Sequence, residues 1–143
     1  NRLIFGKRLS KSEYLARYRV ADLFLDTQPY NAGTTASDAL RMGLPVLTCI
    51  GHSFASRMGA SVISALNLPE LITTSQEEYE SLAIELATDP DKLKIINDKL
   101  VSNLPTAPLY DTPLFTKHLE SAYSMMYDRY QRGLDPDHIY VNH

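Results

Sequence analysis

The sequence has one cysteine, no tryptophan and no long apolar run, and each shortage excludes something. With Cys49 alone, no internal disulfide framework can form and a cysteine-based zinc site is ruled out, although a site built from histidine or carboxylate stays formally open. No apolar stretch approaches the ~18–20 residues that a membrane-spanning helix needs. Positive charge is short too: 14 Lys and Arg against 17 Asp and Glu leave a net −3, so the whole chain offers no basic footprint for nucleic acid. The opening Asn1-Arg2-Leu3-Ile4-Phe5 is too quickly charged for a signal peptide and lacks an initiator methionine. It reads as a piece of a longer protein. What is present suffices for one core: 44% hydrophobic and 22% charged residues over 143 positions, about the length of one domain.

Short apolar runs alternate with helical patterns. Leu3-Ile4-Phe5 predicts a buried strand ended by Gly6, and Ser10 with Glu13 fits a capping box opening a helix to about Arg19. Ala21–Asp26 predicts the next strand, Thr27–Gly33 a loop of turn formers, and Thr34–Met42 a helix stopped by Gly43. Pro45–Cys49 predicts a third strand. Ala55–Leu66 predicts a helix whose small-residue face packs closely on a sheet, and Leu71-Ile72 a last short strand. Further helices are expected over Ser75–Ala87, Asp89–Leu104 and, after a loop at Pro105–Pro113, Leu114–Arg132 with Gly133 as its stop. Such alternation implies an α/β fold: a Rossmann-like parallel sheet with helices on both faces, doubly wound, binding ligands at the carboxyl ends of its strands.

Three groups of residues bear on chemistry. In the first, a strand ends in Asp26, a loop follows, and a helix begins at Gly33-Thr34-Thr35. Unpaired N–H groups at a helix start bind phosphate without a basic side chain, Gly33 permits close backbone approach, and Asp38 one turn in can accept from the vicinal hydroxyls of a ribose. Equally, Thr35 and Asp38 have the spacing of a plain capping box. In the second, Lys11, Tyr14 and Arg17 lie three apart on one helix ridge, a set that suits a nucleobase with its sugar, or else a solvated face with Leu15 and Tyr18 turned inward. The third is the histidines: His52 falls at the ligand edge of the sheet, while His118, His138 and His143 lie in the tail with no metal spacing. Cys49 reads as a small buried hydrophobe, and Ser53 and Ser56 lack the elbow motif of a hydrolase. No complete general acid–base pair assembles.

In order along the chain, these segments resemble the catalytic C-terminal region of the O-GlcNAc transferase and SPINDLY-like glycosyltransferases, family 41. The resemblance rests on Ala21-Asp22-Leu23-Phe24-Leu25-Asp26-Thr27, Asn31 to Leu40, Gly43-Leu44-Pro45-Val46-Leu47-Thr48, Ser53-Phe54-Ala55-Ser56-Arg57, Leu68-Pro69-Glu70-Leu71-Ile72, Glu78-Tyr79-Glu80 and Pro136-Asp137-His138. It implies that residues 1–143 form one nucleotide-sugar-binding domain, the C-terminal, donor-binding half of a GT-B fold, with residues 105–143 packing outside as a loop and extra helix. It implies an inverting, metal-independent transfer of a sugar, typically GlcNAc from UDP-GlcNAc, to protein Ser or Thr, with no cofactor, no nucleic-acid partner and no membrane, in the cytoplasm. Gly33, Thr34 and Thr35 match the donor diphosphate positions, and Asp38 the ribose-binding acid. Lys11, Tyr14 and Arg17 match residues around ribose and base, with the backbone near Leu9 facing the base edge. Tyr30 lies where the donor sugar passes. No catalytic residue falls in this stretch. The protein acceptor, a further phosphate-contacting lysine and tetratricopeptide repeats belong to the upstream part.

Two positions depart from the family pattern: Gly33 and Tyr14 stand where many members carry histidine. They leave open a UDP-glucose or GDP-fucose donor, or a non-catalytic scaffold whose nucleotide-binding site is degenerate. A UDP-sugar epimerase half, which shares the fold, is the rival from another enzyme class.

Overall fold

A computed structural model describes residues 2–141; Asn1, Asn142 and His143 fall outside them, and so does the expectation for His143. The chain divides into two compact units, one up to Pro105 and one from Thr106 onward.

The first unit is built on three parallel strands in sequential order: β1 (Phe24–Leu25), β2 (Val46–Cys49) and β3 (Ile72–Thr73). Phe24 pairs with Val46 and Leu25 with Leu47; Thr48 pairs with Ile72 and Cys49 with Thr73. The central strand is buried at all four positions. Because alternate side chains leave opposite faces of a strand, that pattern requires cover on both sides. Helices α2 (Thr34–Arg41) and α3 (Met58–Ser64) touch each other and β2, while α4 (Gln76–Thr88) touches β2 and β3 and is backed by α5 (Pro90–Asn103). Leu40, Leu47, Ile63, Leu66, Leu71, Leu86 and Leu100 fill the space between, each almost wholly removed from water.

The helix boundaries have local causes. Helix α1 (Lys11–Arg17) begins with the expected capping box: the Ser10 hydroxyl and backbone N–H both reach the Glu13 carboxylate, at 2.6 and 3.1 Å. A 3₁₀ turn, Tyr18–Val20, follows. Helix α2 ends in a Schellman motif, with Gly43 at φ +83°, its N–H donating to Leu40 O and that of Leu44 to Ala39 O. Ser75 caps α4 through the Glu78 N–H, and Asp89 caps α5 through the Lys92 N–H.

Three expectations need correction. Leu3-Ile4-Phe5 is not a strand: a strand requires a neighbour's ladder, none pairs with it among the described residues, and the three side chains are 74%, 93% and 91% exposed. The strand expected over Ala21–Asp26 shortens to Phe24–Leu25, because β1 is an edge with pairing on one side only. Thr35 and Asp38 form no capping box, since the N-cap is Gly33 and Thr35 is already inside the helix.

The second unit carries α6 (Thr112–Gln131), opened by Asp111 accepting from the Leu114 N–H and closed by Gly133 in a second Schellman motif. Capping at Asp111 starts this helix two residues ahead of the apolar residue, Leu114, that signals it in the sequence. Beyond it the chain folds back, where Arg129 donates to Asp135 O and reaches the Asp137 carboxylate at 3.4 Å. Among the described residues no helix is long and apolar enough to cross a membrane.

Candidate functional site

The site is organised from below by Asp26. Although it ends an edge strand, its side chain is buried, and both carboxylate oxygens are occupied. Oδ1 accepts the N–H groups of Thr27 at 2.8 Å and Ala32 at 2.7 Å, and Oδ2 accepts the Thr48 hydroxyl at 2.6 Å. Charge-assisted bonds of this kind are the strong ones. They make the loop from Thr27 to Ala32 leave the strand and return to it. Inside the loop, Thr27 Oγ1 donates to Tyr30 O at 2.7 Å and Asn31 Nδ2 donates to Thr27 O at 2.8 Å. Asn31 is itself buried, and its backbone N–H donates to Ala55 O at 3.1 Å, pinning the loop to the turn before α3.

The returned chain delivers Gly33 as the N-cap of α2. Glycine has no side chain to close the cap, and no side-chain hydrogen bond does so. The first-turn N–H groups of α2 are left for solvent or an anion, beside the exposed hydroxyl-bearing residues Thr34 and Thr35.

Above this helix start lies the end of α1. Tyr14 and Tyr18 hydrogen-bond through their hydroxyls, their rings edge-on with centroids 5.2 Å apart. The Tyr18 hydroxyl also donates to the Thr35 carbonyl at 3.4 Å, and its ring sits 6.4 Å from that of Phe24 on β1. Burial, together with the bond to Tyr14 and the nearby Asp38 charge, pushes the Tyr18 hydroxyl well above the usual tyrosine range. Tyr14, Tyr18, Thr35 and half-buried Asp38 therefore form one cluster. Arg17 does not join it: its Nη2 donates to Lys7 O at 2.8 Å, clasping the segment that leads to Leu9. Lys11 is exposed at the first position of α1, and Tyr30 is exposed at 75% on the loop tip.

A 470 Å³ cleft opens at the carboxyl edge of the strands, lined by Gln28, Cys49, His52, Ser53, Thr74 and Gln76 among others. His52 thus lies at the edge where a ligand is expected, and Cys49 is buried, as its strand position implied. Among the described residues no group of three or more His, Cys, Asp or Glu comes together as a metal site.

The family model for glycosyl transferase family 41 matches residues 1–119. The chain belongs to glycosyl transferase family 41. Relatives agree with that placement. The UDP-N-acetylglucosamine–peptide N-acetylglucosaminyltransferase of Caenorhabditis elegans is 34% identical over 99% of this chain and 12% of its own length. Probable enzymes of the same designation are 35% identical in Arabidopsis thaliana (SEC, over 99% of this chain and 14% of the relative) and 36% in Hordeum vulgare (SPINDLY, over 87% and 13%). The chain therefore spans about an eighth to a seventh of the curated relatives it matches. A solved structure of a mutant O-GlcNAc transferase from Thermobaculum terrenum superposes with a TM-score of 0.77 at 36% identity, covering 83% of this chain and 23% of that one. The Rossmann-like architecture expected for a family 41 half is thereby the architecture of this chain.

Two residues that hold the loop before α2, Asp26 and Thr48, are not among the candidate site residues named from the sequence. Asp26 was visible only as an acid at a strand end, and Thr48 as a hydroxyl within an apolar run. Helical spacing turns Tyr18 inward only in the reading of α1 as a solvated face. Its ring does turn inward, but its hydroxyl reaches the neighbouring helix.

Proposed function

We propose that this chain is the donor-binding half of an inverting, metal-independent glycosyltransferase that moves GlcNAc from UDP-GlcNAc to Ser or Thr of a protein. The observation that carries the reading is the open start of α2, Gly33-Thr34-Thr35, beside Asp38 and the Tyr14–Tyr18 pair. The names of the relatives supply the donor and the acceptor class.

In this assignment the donor diphosphate lies on the first turn of α2, held by its N–H groups and the Thr34 and Thr35 hydroxyls. Asp38 accepts from the ribose, Tyr14 and Lys11 flank the nucleoside, Arg17 holds the segment carrying Leu9 at the base edge, and Tyr30 meets the sugar. The acceptor oxygen attacks the anomeric carbon as the bond from that carbon to the diphosphate breaks. Negative charge grows on the leaving diphosphate, and fixed dipoles aimed at it lower the barrier without a metal or other cofactor. The group that takes the acceptor's proton lies outside these residues, as does the surface that binds the protein acceptor. A cytoplasmic setting, where the nucleotide sugar is available, belongs to the same reading.

A second reading concerns the donor alone. Gly33 and Tyr14 alter the diphosphate and base surroundings, which favours asking whether UDP-glucose or a GDP-sugar is the donor. Calorimetric titration with UDP, GDP and UMP separates the cases. UDP bound more tightly than UMP and GDP supports the main reading, and a GDP preference supports the second. No binding of any of them by the full-length protein contradicts both and leaves a degenerate scaffold.

A further inference from the structure

Resting on that assignment of the diphosphate and nucleoside, we infer that Tyr18 is a positioning residue: its hydroxyl joins the α1 side of the site to the first turn of α2 and sets the spacing between the two ends of the nucleotide. Tyr18 is the first residue of the turn that follows α1, and its ring is wedged between Tyr14 and Phe24. From there the hydroxyl donates to the Thr35 carbonyl at 3.4 Å and is hydrogen-bonded to the Tyr14 hydroxyl. Since Thr35 O is a carbonyl with two lone pairs, it can take this bond and still serve α2.

The two hydroxyls are not equivalent. The bond to Thr35 O needs only the Tyr18 hydroxyl, whichever tyrosine donates within the Tyr14–Tyr18 pair. Removing the Tyr14 hydroxyl leaves the bridge to α2 in place, whereas removing the Tyr18 hydroxyl cuts it. Both rings remain in either phenylalanine variant, so packing on Phe24 is kept. A nucleoside diphosphate engages both ends of the site and registers a change in their spacing, whereas a monophosphate depends far less on the α2 end.

The test is titration of full-length wild-type, Tyr18→Phe and Tyr14→Phe proteins with UDP and with UMP, alongside their thermal midpoints. The bridge requires the ratio of UDP to UMP affinity to fall about 3- to 10-fold in Tyr18→Phe, the effect of losing one hydrogen bond, with UMP affinity little changed. Tyr14→Phe alters a residue that flanks the nucleoside common to both ligands, so it is expected to move UDP and UMP affinity together and keep their ratio. An unchanged ratio in Tyr18→Phe overturns the inference, and so does an equal loss for both ligands accompanied by a lower midpoint, which marks a structural role only. Failure of the wild type to bind UDP instead overturns the assignment of the site itself.

Discussion

The Asp26 carboxylate accepts the Thr48 hydroxyl at 2.6 Å inside the sheet, so the edge strand and the central strand are tied by side chains as well as by their ladder. The other carboxylate oxygen holds both ends of the loop that leads to α2. In Asp26→Asn one acceptor becomes an amide donor facing other donors. The expected loss is about 1.5–3 kcal/mol, that of a hydrogen bond to a charged group. Urea unfolding measures it, and an unmoved midpoint contradicts the central role given to Asp26.

Helix α3 presses on that same pair. A Cβ at Gly59 meets Asp26 Oδ2 and lies 2.5 Å from Thr48 Oγ1, where no side chain can yield cheaply because both atoms are buried and bonded. Gly59→Ala is expected to cost about 1–3 kcal/mol through overpacking. Because it strains the bond that Asp26→Asn also disturbs, the double variant should lose less than the sum of the two, and a denaturation cycle reads the coupling directly. Strict additivity would show that the two substitutions act on separate structures.

Helix punctuation was legible in the sequence: Ser10 with Glu13, Ser75, Asp89, Gly43 and Gly133 all act where their chemistry is local. Pairing is not local, and there the sequence misled. Leu3-Ile4-Phe5 has the composition of a buried strand yet stays exposed, since composition does not supply a partner strand. Thr35 and Asp38 have the spacing of a capping box, but the helix starts at the preceding glycine, where the loop held by Asp26 hands it over. Tyr18 was hidden for a similar reason. Helical spacing assigns a ring to a face, while the reach of its hydroxyl depends on a helix sixteen or more residues later in the chain.

The start of α4 should respond to acid. Glu78 is fully exposed, yet the Thr74 N–H and hydroxyl, and further the Ser75 backbone, hold its carboxyl below the usual glutamate range. A carboxyl depressed in the folded state stabilises it above the ordinary carboxylate pKa, and that contribution disappears as pH falls through the depressed value. Wild type should therefore exceed Glu78→Gln in thermal midpoint near neutrality and converge on it in strong acid. A gap that persists at low pH would assign the difference to something other than the charge.

Asp38 and Arg17 separate the two halves of the proposed nucleotide site. Asp38 lies within electrostatic reach of Tyr18 and beside the first turn of α2, whereas Arg17 acts from the far side, donating to Lys7 O at 2.8 Å and resting where a Cβ on Gly6 would stand. Asp38→Ala removes an acceptor for the ribose hydroxyls and is expected to weaken UDP and UMP alike, by about 10-fold, the lower end for a hydrogen bond to a charged group. Arg17→Ala frees the chain around Leu9 and should weaken both ligands while also raising hydrogen exchange at residues 6–9, a change that Asp38→Ala should not produce. Calorimetry with exchange measurements on the two variants checks both. Wild-type affinity for UDP in both proteins would remove the nucleotide from this end of the sheet.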